Sequence, residues 1–303
     1  MTDNICILEF PSNLGLKEPF AGQEPGVKKL PDFFQKHNFH SSLNSNSIFR
    51  LNPPTYSMIL DEVSGVRNSA QIVKYARDQS QLLEKVLSEN KFPIVIGGDC
   101  SVLIGNSLAL KNMGSFALFF LDGHTDFMWP TLSQTGGAAG MDLAIVTGYG
   151  HDKLTNIGGQ KPYFKEEHIW CVGNRDYEEW YVKAIADSNI NYTDLNTLRQ
   201  YGIKKCISDF LQMVKTENLF GFWIHIDVDV LNDNIMPAVD SRQEDGLDYD
   251  EFNEIMRLLL TDTNVTGLEI TILDPDLDLT GEYTRNFVSN FCHTFNSSKK
   301  SYR

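Results

Sequence analysis

A single α/β domain, with helices on both faces of a mostly parallel sheet, is predicted by three features of the 303-residue chain. Short apolar runs alternate with amphipathic stretches along its length. The runs are apolar almost throughout rather than at every second residue, as strands buried on both faces require. No repeat, low-complexity segment or composition shift marks a second unit. Alternation of this kind builds right-handed crossovers and a three-layer α/β/α sandwich.

The runs place strands at Ile5–Phe10, Phe92–Ile96, Phe116–Leu121, His168–Val172, Phe220–Ile226 and Val265–Leu273. Between them, Arg67–Asn90 carries Ala70, Val73, Ala76, Leu83, Val86 and Leu87 on one helical stripe. Further helices are expected at Ser101–Lys111, Met141–Thr147, Tyr177–Asp187, Lys204–Lys215 and Tyr249–Leu260. The domain is expected to span residues 1–292. Residues 293–303, HTFNSSKKSYR, are polar and read as a flexible tail.

Bulk properties exclude several classes. The net charge of −14 repels phosphate backbones and anionic lipid, so neither nucleic acid nor membrane is an expected partner. The same charge suits a cationic substrate, although acidic soluble chains are common. Five irregularly spaced cysteines suggest no disulfide framework and fit a reducing, cytoplasmic compartment. The N-terminus reads as a first strand, not a signal peptide. No apolar stretch approaches the roughly 20 residues that span a bilayer.

In a parallel sheet, function gathers in the loops after the strands. Three such loops carry polar clusters. Gly97-Gly98-Asp99-Cys100-Ser101 follows the run PIVI. Its glycines permit a sharp turn that would aim Cys100 or Asp99 into a cleft, though such a turn is as often structural. Asp122, His124 and Asp126 follow FALFFL, and residues at i, i+2 and i+4 share one face of an extended chain. Two carboxylates beside an imidazole call for a cation among them. Asp227 and Asp229 repeat the pattern at the end of WIHIDVD. They lack the oxygen-rich spacing of a calcium loop. His225 is in phase with both aspartates but lies earlier in the buried strand, so it is not counted as a ligand. Four carboxylates, an imidazole and a thiol carry too much negative charge for one divalent ion and suit two.

The order GGD-x-S, D-x-H-x-D, D-x-D resembles the ureohydrolase superfamily of arginases, agmatinases and formimidoylglutamases. The likeness runs from GQEPG at Gly22–Gly26 to about Asp276. It implies an arginase-like sandwich with a parallel eight-stranded sheet. It also implies a pair of divalent ions, Mn2+ foremost, bridged by a hydroxide that attacks a guanidinium or amidine carbon. By position, Asp122 and Asp227 would bridge the metals. Asp126 would bind the first metal and handle the proton. His124 and Asp229 would complete the second site. Relatives of this kind form trimers or hexamers, which implies a homo-oligomer.

Departures from the family pattern concern one ligand and the substrate. Cys100 stands where the family has His, which favours softer ions (Zn2+, Co2+ or Fe2+) at the first site. Met128, Gly137 and Ala139 replace two Asn and a proton-shuttling His, and Ile272 replaces the Glu that grips the guanidinium. Glu269 lies three residues earlier and is expected to face the other way. Thr135 replaces a Ser of the carboxylate grip. Glu178, Asp240 and Ser241 are the remaining candidates for substrate contact. The leading expectation is a hydrolase of a linear amidine or guanidine C–N bond. The alternatives are a single-zinc, deacetylase-like hydrolase and a catalytically silent metabolite-binding relative.

Overall fold

The computed structural model describes residues 4–45 and 47–300. In chain order the strands are β1 (Ile5–Glu9), β2 (Ser47–Arg50), β3 (Leu60–Asp61), β4 (Val66–Arg67), β5 (Phe92–Ile96), β6 (Ala117–Leu121), β7 (Ile169–Val172), β8 (Asn191–Thr193), β9 (Phe222–Asp227) and β10 (Val265–Thr271). The helices are α1 (Leu30–Lys36), α2 (Phe39–Ser42), α3 (Ser69–Ser88), α4 (Val102–Met113), α5 (Asp142–Val146), α6 (Asp152–Thr155), α7 (Glu179–Ala186), α8 (Leu195–Tyr201), α9 (Ile203–Thr216), α10 (Tyr249–Leu260) and α11 (Glu282–Lys300). β3 and β4 form a small antiparallel ribbon. The other eight strands make one sheet in the order β2-β1-β5-β10-β9-β6-β7-β8, and every pairing in it is parallel.

The continuous apolar runs have a simple cause. Ile7, Ile94, Phe119 and Ile224 face one core, which α9, α10 and α11 cover with Phe210, Phe252 and Phe291. Their neighbours Leu8, Val95, Phe120 and Trp223 face the second core, covered by residues of α3, α4 and α5. A fully buried side chain of this size contributes about 1.5–3 kcal/mol, so both faces must be filled and neither can be polar. The sequence order reverses at the centre of the sheet. There the carboxyl ends of β5, β10, β9 and β6 lie side by side and open a crevice between diverging loops.

All six strands read from apolar runs are present. The two further strands of the main sheet are its edges. β2 is only half-buried in alternation and β8 has three residues, so neither shows a continuous run. The expected flexible tail is corrected. Residues from His293 onward continue α11 as far as Lys300. Phe287, Phe291 and Phe295 recur at i, i+4 and i+8 and stack on one another over the sheet, with Phe295 fully buried. The polar letters between them are the outer face of an amphipathic helix. Ser301–Arg303 lie outside the described residues. No helix among the described residues is long and apolar enough to cross a membrane.

Candidate metal centre

Four loops meet above the crevice. After β5, Gly98 passes against the backbone of Ser12, where an added Cβ would lie 1.8 Å from the carbonyl oxygen. Asp99 is consumed by this turn, accepting from Ser12 Oγ and from the Ser101 amide, each at 2.8 Å. Cys100 therefore is the residue that lines the cleft. Its Sγ lies 3.0 Å from Asp227 Oδ2 and 3.1 Å from Thr271 Oγ1.

After β6, convergence arises differently from the extended register expected. The strand ends at Leu121. Asp122 Oδ1 then accepts from the His124 amide at 2.6 Å, a turn closed by the side chain. Asp126 adopts a left-handed φ of 43°. The loop after β9 uses the same device, with Asp227 Oδ1 accepting from the Asp229 amide at 2.8 Å. The two loops are tied together where the Gly123 amide donates to Asp229 Oδ1 at 3.0 Å. His124 Nδ1 lies 2.8 Å from Asp229 Oδ2 and 3.7 Å from Asp122 Oδ1.

The resulting cleft has a volume of about 100 Å3 and is lined by Cys100, His124, Asp126, Asp227 and Asp229, with Leu16, Ala139, Gly140, Asp240, Ser241 and Ile272 completing its walls. Asp122 lies beneath it, fully buried. Ile272 has a φ of 75°. For a β-branched residue this is strain of about 1–3 kcal/mol. The strained turn is held where the Ile272 amide donates to the Gly98 carbonyl at 2.7 Å. Thr135 and Glu178 are not brought to the cleft. Thr135 sits on an exposed loop with its hydroxyl accepting from the Gly137 amide. Glu178 begins α7 and lines a separate groove with Arg175 and Glu244.

The electrostatics identify what the cluster lacks. Burial, followed by the charges of neighbouring carboxylates, raises Asp122, Asp126 and Asp227 well above the usual carboxylate range. Burial and then Asp227 push the Cys100 thiol up as well. Asp229 is the exception. Burial works against its charge, but His124 and Arg175 outweigh it and hold the carboxyl low. Burial likewise opposes the charge on His124, and Asp229 overrides it, raising the imidazole to about 9. Asp240 is raised to about 6 by its crowded surroundings and by Asp229, although its side chain still reaches solvent at the rim.

The donor set fits divalent cations on observation of these residues alone. Asp122 Oδ2 is buried with no hydrogen-bond partner. Cys100, Asp122 and Asp227 offer donor atoms within 4.8 Å of one another, and so do Asp122, His124 and Asp229, with Asp122 common to both groups. A buried anion without a partner is unstable by several kcal/mol, and a cation held at Asp122 would remove that penalty.

Sequence reasoning missed a polar group below this cluster: Asn106, Asp142, His225 and Glu269, all fully buried. The expected reversal of Glu269 is present, since it turns from the cleft onto His225 at 2.6 Å. The phase of His225 with Asp227 was the one usable signal. Asp142 sits in an apolar stretch that offers none.

Comparison with known proteins agrees with this geometry. A family model described as "Arginase family" matches residues 26–296. An arginase of Staphylococcus aureus (strain MRSA252) is 27% identical over 260 residues, covering 86% of this chain and 82% of that protein. The crystal structure of arginase from Bacillus caldovelox superposes with a TM-score of 0.85 at 24% identity, covering 97% of this chain and 98% of that one. Formimidoylglutamase from Bacillus subtilis shares the fold more distantly, with a TM-score of 0.71 at 19% identity over 97% of this chain and 86% of that one. The family model covers nearly the whole length, and the chain belongs to the arginase family.

Proposed function

We propose that this chain is a binuclear-metal hydrolase that cleaves a C–N bond of a linear amidine or guanidine. The observation that carries the reading is the pair of donor groups sharing Asp122, whose Oδ2 is buried and unbonded. Cys100, Asp122 and Asp227, with Asp126 beside them, would hold one divalent ion. Asp122, His124 and Asp229 would hold the other. When bound, such a pair supplies Lewis acidity and a water activated near neutral pH. Manganese suits the oxygen-rich set, and the Cys100 thiol adds affinity for zinc, cobalt or iron.

The chain's own residues supply the rest. Asp126 lines the cleft with a carboxylate placed to accept a proton and return it to a leaving amine. Asp240 and Ser241 offer a carboxylate and a hydroxyl in the cleft wall to a cationic head group. Ala139 and Ile272 make the remaining wall apolar and limit water. A space of about 100 Å3 admits the head group of a substrate and leaves the rest of the molecule outside. The cationic partner also agrees with the net charge of −14.

The test is release of urea or ammonia from arginine, N-hydroxy-arginine, agmatine, guanidinobutyrate and formimidoylglutamate, with manganese, cobalt and zinc supplied separately. Turnover of at least one compound that disappears in Asp126→Asn is expected. No turnover of any compound with any of the metals overturns the reading.

A further inference from the structure

Below the cleft, against the sheet face covered by α4 and α5, lies a polar group that the proposed hydrolysis does not use. His225 projects from β9, Glu269 from β10 and Asn106 from α4, and Asp142 is the first residue of α5. All four are fully buried, in a layer otherwise filled by residues such as Val102, Leu118 and Phe120. They are ordered in a definite chain. The Asn106 amide donates to Glu269 Oε2. Glu269 Oε1 lies 2.6 Å from His225 Nδ1. The Phe120 ring stacks on the imidazole at 4.5 Å with an interplanar angle of 5°. Orientation of the ring is thus fixed from two sides.

This arrangement leaves His225 Nε2 with no hydrogen-bond partner, and the same is true of Asp142 Oδ2 and Asp122 Oδ2. The free atoms converge. A carboxylate oxygen of Asp142, a ring nitrogen of His225 and Cys100 Sγ lie within 4.8 Å of one another, and Nε2 is the ring nitrogen not engaged by Glu269. Asp122 Oδ2 is 3.9 Å from His225 Nε2. Each unbonded buried polar atom carries the cost of its lost hydration, and Asp142 and His225 bear that cost beside Cys100.

The geometry points to a further cation site, with Cys100, Asp142 and His225 as its three protein ligands, for a borderline-soft divalent ion of the zinc class. Three features select that class. Sulfur, imidazole nitrogen and carboxylate oxygen are the donors zinc takes in tetrahedral sites. A ligating imidazole characteristically gives its other N–H to a carboxylate, which fixes the tautomer and raises basicity, and Glu269, itself held by Asn106, occupies that position. Bond lengths of about 2.0–2.3 Å place tetrahedral donors about 3.3–3.8 Å apart, so donors within 4.8 Å of one another close on an ion by a contraction of about 1 Å or less. The site is enclosed by protein, as structural zinc sites are, and it shares Cys100 with the centre above. It rests on the hydrolase reading only through that shared residue.

The experiment uses the whole protein purified without chelators. Metal content is measured first. Metal-free protein is then titrated with cobalt(II) while the thiolate-to-cobalt charge-transfer absorption is followed, and separately with manganese. The variants are Asp142→Asn and Glu269→Gln, each equal in shape to the native residue and each checked by circular dichroism; either one alone decides the matter if the other fails to fold. Both are expected to weaken the thiolate-linked cobalt by ~10–100-fold, the usual effect of disturbing an imidazole's supporting carboxylate, while manganese affinity changes less than threefold. Wild-type cobalt affinity in both variants, or no thiolate band in the wild type while manganese binds, overturns this site and leaves the hydrolase reading standing. Binding of no metal at all by the wild type overturns both.

Discussion

The most direct consequence of the carboxylate cluster is a large, pH-dependent stabilisation by metal. The perturbation is addition of manganese, cobalt or zinc to chelator-treated protein. A ligand at a thousand times its dissociation constant stabilises the fold by about 4.1 kcal/mol. At about 2.1 cal/mol/K per residue, unfolding this 303-residue chain carries an entropy near 0.64 kcal/mol/K. One ion then raises the Tm by about 6 °C and two independent ions by about 13 °C. The pH dependence has a fixed sign. In the metal-free protein Asp122, Asp126 and Asp227 have folded pKa values raised above those of the unfolded chain. Below about pH 4 both states are protonated and nothing is lost. Above it the unfolded chain ionises first, and the metal-free fold loses about 1.4 kcal/mol per pH unit for each group until its folded pKa is reached. A cation replaces these protons, so the gap between loaded and metal-free protein widens from pH 5 to pH 8. Differential scanning fluorimetry across that range is the assay. A shift under 1 °C with every metal at millimolar concentration, or one that does not grow with pH, refutes the reasoning.

Other variants separate the parts of the argument. Asp240→Asn removes the rim carboxylate and is expected to raise KM for a cationic substrate by about tenfold with little change in kcat; an unchanged KM removes Asp240 from substrate contact. Cys100→His, which installs the family's usual ligand, is expected to shift the ratio of manganese to cobalt affinity toward manganese, and an unaltered ratio means that the thiol is not a ligand. Phe295→Ala empties a fully buried position in α11 and is expected to destabilise the fold by about 3–5 kcal/mol. A loss below 1 kcal/mol in urea unfolding would mean that the end of this helix is undocked. Asp248→Ala breaks the capping box with Glu251 at the start of α10, far from the cleft in sequence and role. It is expected to cost about 1 kcal/mol, seen as a Tm about 1.5 °C lower, with metal content unchanged.

The architecture was legible wherever burial dictates residue type. Central strands covered on both faces have to be apolar throughout, and PIVI, FALFFL and FWIHI announce themselves for that reason. Edge strands answer to one neighbour and to solvent, so SIFR and NYT leave no comparable mark. The last helix was misread because its three phenylalanines are spaced by four and diluted with polar letters, which conceals a buried face in a segment of low mean hydropathy. At the centre, the residue types were legible but the means of bringing them together was not. Asp122 and Asp227 curl their own loops by accepting from amides two residues ahead. That geometry follows from the short carboxylate side chain, not from strand alternation.

What sequence spacing cannot supply is the partner across a parallel sheet. His225 and Glu269 stand 44 residues apart. They meet because β9 and β10 are adjacent and pair with His225 opposite Glu269. Taken alone, His225 is a buried histidine in an apolar strand and Glu269 an acid on the wrong face for substrate. Once the register joins them, each explains the other: the carboxylate holds one ring nitrogen and directs the second toward Cys100 and Asp142. The departure that the family resemblance implies at position 100, cysteine where histidine is expected, then acquires a structural context. A thiolate surrounded only by carboxylates would add to their repulsion. Beside an imidazole whose lone pair is held ready, it belongs to a donor set of sulfur, nitrogen and oxygen, and the substitution and the buried histidine are parts of one site.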